Sequence, residues 1–70
     1  MAYEYLSKSE VTWEEAPRIM GVLTEKGFKP IAVRVDPVRK ATVVYFAEPL
    51  KKDEKEKLDE VMKKEGYVVL

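Results

Sequence analysis

The sequence predicts an α+β domain with the element order β-α-β-β-α-β, and three observations carry that prediction. Short segments of alternating or two-sided apolar residues fall at 2–6, 31–36, 41–47 and 67–70, which is the periodicity of strands. Two longer segments between them repeat apolar residues at helical spacing, and each closes on a glycine, Gly27 or Gly66. The chain has 70 residues, enough for a single domain, 1–70, with a thin core.

Residues 2–6 (AYEYL) alternate, with Tyr3 and Tyr5 on one side and Glu4 and Leu6 on the other, and residues 7–11 read as polar loop. Thr12-Trp13-Glu14-Glu15 has the form of a capping box. Apolar residues then follow at Trp13, Ala16, Met20 and Leu23, with Ile19 and Val22 beside them, as one helical stripe. Pro17 would delete a backbone bond if Thr12 were the cap, so either the first turn is loose or the regular helix begins at Pro17. Gly27 supplies a left-handed stop, and Phe28 is placed to fold back on the helix.

In the next segment Ile31, Val33 and Val35 alternate with Ala32, Arg34 and Asp36, and Pro30 at its start suits an edge strand. Asp36-Pro37-Val38-Arg39 reads as a turn with proline at its second position. A loop of those four residues sets Val35 opposite Lys40, Val33 opposite Thr42 and Ile31 opposite Val44. Residues 41–47 (ATVVYFA) are apolar on both faces, as a central strand should be. The second helix is expected from about Asp53 to Glu65, with a narrow stripe of Leu58, Val61 and Met62 led in by Leu50. Its other faces carry Asp53/Lys57, Asp59/Lys63 and Glu60/Lys64 pairs one turn apart. Residues 67–70 (YVVL) form the last short strand.

Two right-handed crossovers in this order give the ferredoxin-like sandwich, a four-stranded antiparallel sheet ordered 4-1-3-2 with both helices on one face. The two-sided apolar strand then falls in the centre and the proline-containing one at an edge.

Composition narrows the function classes. Cysteine and histidine are both absent, which removes disulfides, thiolate ligands, the commonest zinc ligand and the usual nucleophile–base pairs. No cofactor or metal site is expected. Ser7, Ser9, Thr12, Thr24 and Thr42 have no evident activating partner. Glu14 and Glu15 are adjacent on a helix and so point about 100° apart. The sequence therefore predicts no enzyme. Thirteen basic residues balance thirteen acidic ones, which speaks against a protein whose main task is to grip nucleic acid. No apolar run approaches the length of a bilayer span, and the first residues have no secretory pattern, so the cytoplasm is the expected compartment.

Asparagine and glutamine are also missing, and 37% of residues are charged, mostly Lys and Glu. That is the bias of hyperthermophile proteins, and of chains designed for stability. A melting temperature above roughly 80 °C is expected. A calorimetric midpoint near 55 °C, within the ordinary mesophile range, would contradict it.

The stretch Arg18-Ile19-Met20-Gly21-Val22-Leu23-Thr24-Glu25-Lys26-Gly27-Phe28 resembles the first helix and following turn of ACT domains, small ligand-sensing regulatory modules of this fold. The likeness rests on Gly21 between apolar residues and on Gly27-Phe28. The rest of the chain matches in element order. The resemblance implies a small-molecule effector site in the loop entering the first helix, at Ser9, Val11, Thr12 and Trp13. ACT domains that bind amino acids open this helix with a Pro-Gly type turn, where this chain has Trp13-Glu14.

A second candidate lies on the sheet face that the helices leave uncovered. Tyr45 and Val43 are expected there beside Ala32 and Arg34, with Tyr3 and Tyr5 joining from the first strand, while Val44 and Phe46 face the core. Tyrosines on two central strands resemble the base-stacking platform of RNA-recognition domains, with Arg34 for the backbone. The basic-aromatic consensus of that platform is absent from residues 41–47. The remaining readings of this face are packing against another copy, giving a homodimer, or tolerated exposure in a designed scaffold with no natural ligand. Trp13 reads first as a core plug, and Lys51-Lys52 and Lys63-Lys64 as solvated helix surface. Together these features predict a non-catalytic, self-associating regulatory or adaptor module, with single-stranded nucleic-acid binding as the alternative.

Overall fold

A computed structural model describes residues 3–8 and 14–69. The elements are β1 (Tyr3–Lys8), α1 (Glu15–Glu25), β2 (Ala32–Asp36), β3 (Ala41–Phe46), α2 (Lys52–Lys64) and β4 (Val68–Val69). They form an α+β fold with one antiparallel sheet ordered β2-β3-β1-β4, which read from the opposite edge is 4-1-3-2. No helix among the described residues is long and apolar enough to cross a membrane.

Register decides which side chains face the helices. β1 pairs β3 with Tyr3 opposite Phe46, Tyr5 opposite Val44 and Ser7 opposite Thr42. β2 pairs β3 with Val33 opposite Val44 and Val35 opposite Thr42. Because side chains alternate across a strand, Tyr3, Tyr5, Ser7, Val33, Val44 and Phe46 share one face. Ile19 and Leu23 of α1 and Leu58 and Met62 of α2 pack on that face with Tyr5, Val44 and Phe46, so both helices cover the same side. The connection between β2 and β3 is Pro37–Lys40, one residue later than the sequence suggested. Every pairing slips by two residues, which preserves the faces: Val44 and Phe46 remain inside, and Tyr45 and Val43 outside.

Both helices end alike. Gly27 has φ 93° and Gly66 has φ 89°, a conformation in which a side chain would be strained. Phe28 N–H donates to the Leu23 carbonyl at 2.9 Å and Gly27 N–H to Thr24 at 3.1 Å. Tyr67 N–H likewise donates to Met62 at 2.9 Å and Gly66 N–H to Lys63 at 3.0 Å. These paired bonds satisfy the last carbonyls and fold an aromatic residue back onto the core; Phe28 and Tyr67 are both buried. Pro17 lies in the first turn of α1, where its missing N–H leaves no helical bond unmade.

Several details depart from the sequence reading. β1 runs on through Ser7 and Lys8, which pair with Val69 and Val68, and Ser7 is fully buried rather than in a loop. The Ser7 and Thr42 hydroxyls face the helix side without a hydrogen-bond partner among the described residues. The buried stripe of α1 centres on Ile19 and Leu23, with Met20 and Val22 half-buried. Ile31 lies outside β2 and is exposed, although its N–H still donates to the Tyr45 carbonyl at 2.8 Å. α2 begins a residue early, and the Lys51 N–H donates to the Glu54 carboxylate at 3.3 Å. β4 is only two residues long.

Candidate functional site

The face turned away from the helices carries Glu4, Leu6 and Lys8 of β1, Ala41, Val43 and Tyr45 of β3, and Ala32, Arg34 and Asp36 of β2. This placement divides the tyrosines. Tyr3 and Tyr5, expected beside Tyr45, lie on the opposite face. Tyr5 is 3% exposed, and its hydroxyl donates to Asp59 Oδ1 of α2 at 2.6 Å. Tyr3 packs against Phe46 with ring centroids 6.5 Å apart. The reason is the parity of β1: the strand turns its two phenols inward, where one finds a carboxylate, and leaves Leu6 half-buried outside. A platform of three stacked tyrosines is therefore not assembled. Tyr45 and Arg34 are brought together.

Arg39 joins them, a residue that sequence reading treated only as part of a turn. Asp36 closes β2 and organises the hairpin: its Oδ1 accepts from the N–H of Val38 at 3.0 Å and of Arg39 at 3.2 Å. Its Oδ2 accepts from Arg39 Nε at 2.6 Å. The guanidinium holds the Asp36 carboxyl below the usual carboxylate range, and the backbone amides add to that effect. Asp36 in turn raises the Arg39 guanidinium, with Glu4 and Tyr45 making smaller contributions of the same sign. Arg39 thus leans back from the hairpin over the sheet. Arg34, Asp36, Arg39, Val43 and Tyr45 line a recess of about 360 Å³, with Val35 and Pro37 at its edge. Val43 in that lining is only 1% exposed, although it lies on the face turned away from the helices. An aspartate and an arginine three apart in a proline turn were the available signal for this arrangement.

Ser9, Val11, Thr12 and Trp13, the effector site implied by the ACT resemblance, lie outside the described residues. Other hollows lie among the described residues. One of about 390 Å³ lies between the end of α1 and the start of α2, beside Phe28, Phe46 and Leu50. Another, of about 280 Å³, runs between the helices over Val22 and Val61, flanked by Lys26, Lys57, Glu60 and Lys64. At the end of α1, Lys57 Nζ donates to the Lys26 carbonyl at 3.4 Å and sits 5.5 Å from the centroid of the Phe28 ring. That lysine ties the helices together, which is a packing role. No family model matches the chain, and neither a curated protein nor a solved structure matches it.

Proposed function

We propose that this chain is a non-catalytic, ferredoxin-like regulatory or adaptor module that self-associates as a homodimer through its uncovered sheet face. One observation carries the reading: both helices lie on one side of the sheet, and the other side is semi-apolar and marked with both signs of charge. Leu6, Ala32 and Tyr45 are half-buried there, and Val68 beside them is 63% exposed. Glu4 stands at one end of β1 and Lys8 at the other. A two-fold axis through such a face can set the acid of one copy against a base of the other. Small domains commonly gain stability by this route.

Sedimentation equilibrium at micromolar concentration should give about twice the 8.1 kDa chain mass. Leu6→Glu should raise the dimer dissociation constant by more than about a hundredfold, because it buries an unpaired carboxylate at a cost of several kcal/mol. A wild type that stays monomeric, or a Leu6→Glu protein that dimerises as before, would overturn the reading. A second reading, single-stranded nucleic acid on the same face, is favoured only by the meeting of Tyr45, Arg34 and Arg39 in one recess. One aromatic and a neutral chain support it less well than a dimer.

A further inference from the structure

We infer that the recess at the hairpin end of the uncovered face binds a phosphate dianion, the terminal group of a small phosphomonoester, between Arg34 and Arg39. The inference goes beyond self-association and does not rest on it; it requires that a seam centred on Leu6 and Val68 leave Arg34 and Arg39, at the β2 edge of the same face, open.

Arg34 projects from β2 into the recess and makes no ion pair or hydrogen bond among the described residues. None of its guanidinium N–H donors is taken by a described residue. Among the described residues Arg39 is anchored through Nε, at 2.6 Å from Asp36 Oδ2, which holds the stem in place and leaves its terminal amino groups without a described partner. Guanidinium forks match phosphate oxygens in pairs, and a pre-anchored fork loses less freedom on binding. Two arginines face a single carboxylate in the lining, which leaves one net positive charge. Tyr45 stands beside them with a phenol for a further oxygen or a ring face for an organic group. Val43 in the lining strengthens these contacts, because it is buried and excludes water from one side.

Phosphate fits better than a lone carboxylate for two reasons. The donors come from two strands and a turn, and a tetrahedral dianion presents oxygens in several directions at once. The volume of about 360 Å³ leaves room beyond one phosphate for the skeleton of its ester. Glu4 is the opposing influence, since its carboxylate acts on Arg39 from the rim.

The test is a titration of the full chain at low ionic strength, where such contacts are least screened. The ligands are inorganic phosphate, adenosine 5′-monophosphate and adenosine, followed through the Arg34 and Arg39 side-chain N–H resonances and the Tyr45 amide. Phosphate and the monophosphate should shift all three saturably, and adenosine should not. Arg34→Gln, which breaks no ion pair among the described residues, should weaken phosphate binding about tenfold or more. Glu4→Gln should tighten it, and Lys63→Gln, on exposed α2 surface, should leave it unchanged. Arg39→Gln also loosens the hairpin, so its loss of binding is read only beside the Arg34 result. Absence of saturable shifts at Arg34 and Arg39 would overturn the inference, as would adenosine binding alone or equal weakening by Lys63→Gln. Sedimentation of the same samples reads the oligomeric state separately, so a monomer that binds phosphate refutes the dimer and not the site.

Discussion

Leu58→Ala is expected to remove about 3 kcal/mol of folding stability, within the range of about 2–5 kcal/mol seen when a buried leucine is truncated. Leu58 is fully buried in α2 and meets the other helix and the sheet in one cluster with Ile19, Leu23, Val44 and Met62. A domain of 70 residues has only about 4–10 kcal/mol in total at typical values per residue. One side chain therefore accounts for a third or more of the stability. Urea unfolding should show a lower midpoint with an unchanged slope. Leu58→Met, which nearly conserves volume, should cost less than about 1.5 kcal/mol. Equal losses from the two variants would show that the cavity is not the cause.

The second large effect is alkaline. Burial raises the Tyr5 hydroxyl far above its usual range, and the Asp59 carboxylate that accepts its proton raises it further. Burial and the neighbouring Glu15 also raise Tyr67, whose hydroxyl donates to Glu15 Oε2 at 3.3 Å. An unfolded tyrosine releases its proton near pH 10, whereas these two keep theirs when folded, so above that pH the native state binds more protons than the unfolded one. Stability is whole below about pH 10 and falls as pH rises, by up to about 1.4 kcal/mol per unit while Tyr5 stays protonated in the fold, with Tyr67 acting in the same direction. Tyr5 alone should cost about 2 kcal/mol between pH 10 and pH 12. Tyr5→Phe should lose about 1 kcal/mol at neutral pH, the net worth of the hydrogen bond, and then escape most of the alkaline loss. The two stability curves should cross between about pH 10 and pH 12. Parallel curves would rule out Tyr5 as the titrating group.

The same tyrosine marks the limit of what was legible in the chain. Both glycine stops, the central place of residues 41–46 and the stripe of Leu58 and Met62 could be read locally, because backbone sterics and periodicity fix them within a turn or two. The face of β1 could not. Tyr3 and Tyr5 alternate with Glu4 and Leu6, so each side of the strand holds apolar area. The decision falls to Asp59, which lies 54 positions away. The β2–β3 register was uncertain by two residues for a related reason: the loop was set by proline, while the observed turn also uses Lys40 at φ 51°. Arg34 and Tyr45 survived that slip because it conserved parity. Arg39 was missed because its role depends on the Asp36 carboxylate that anchors its guanidinium beside the recess.

The position of β1 has a consequence for how the molecule is made. This strand lies between β3 and β4 and precedes both in the chain. During synthesis Tyr3, Tyr5 and Leu6 leave the ribosome with no sheet partner, and α1 and β2 follow before β3 is available. Met62 and Tyr67, which close the core over Tyr5, emerge later still. A nascent chain halted after β2 would hold α1 and a strand without their support, exposing Ile19, Leu23 and the tyrosines to whatever surrounds it. One of the sheet's two inner strands is thus synthesised before the other three strands and among the last to be secured, so this fold completes only once β3, α2 and β4 have followed it.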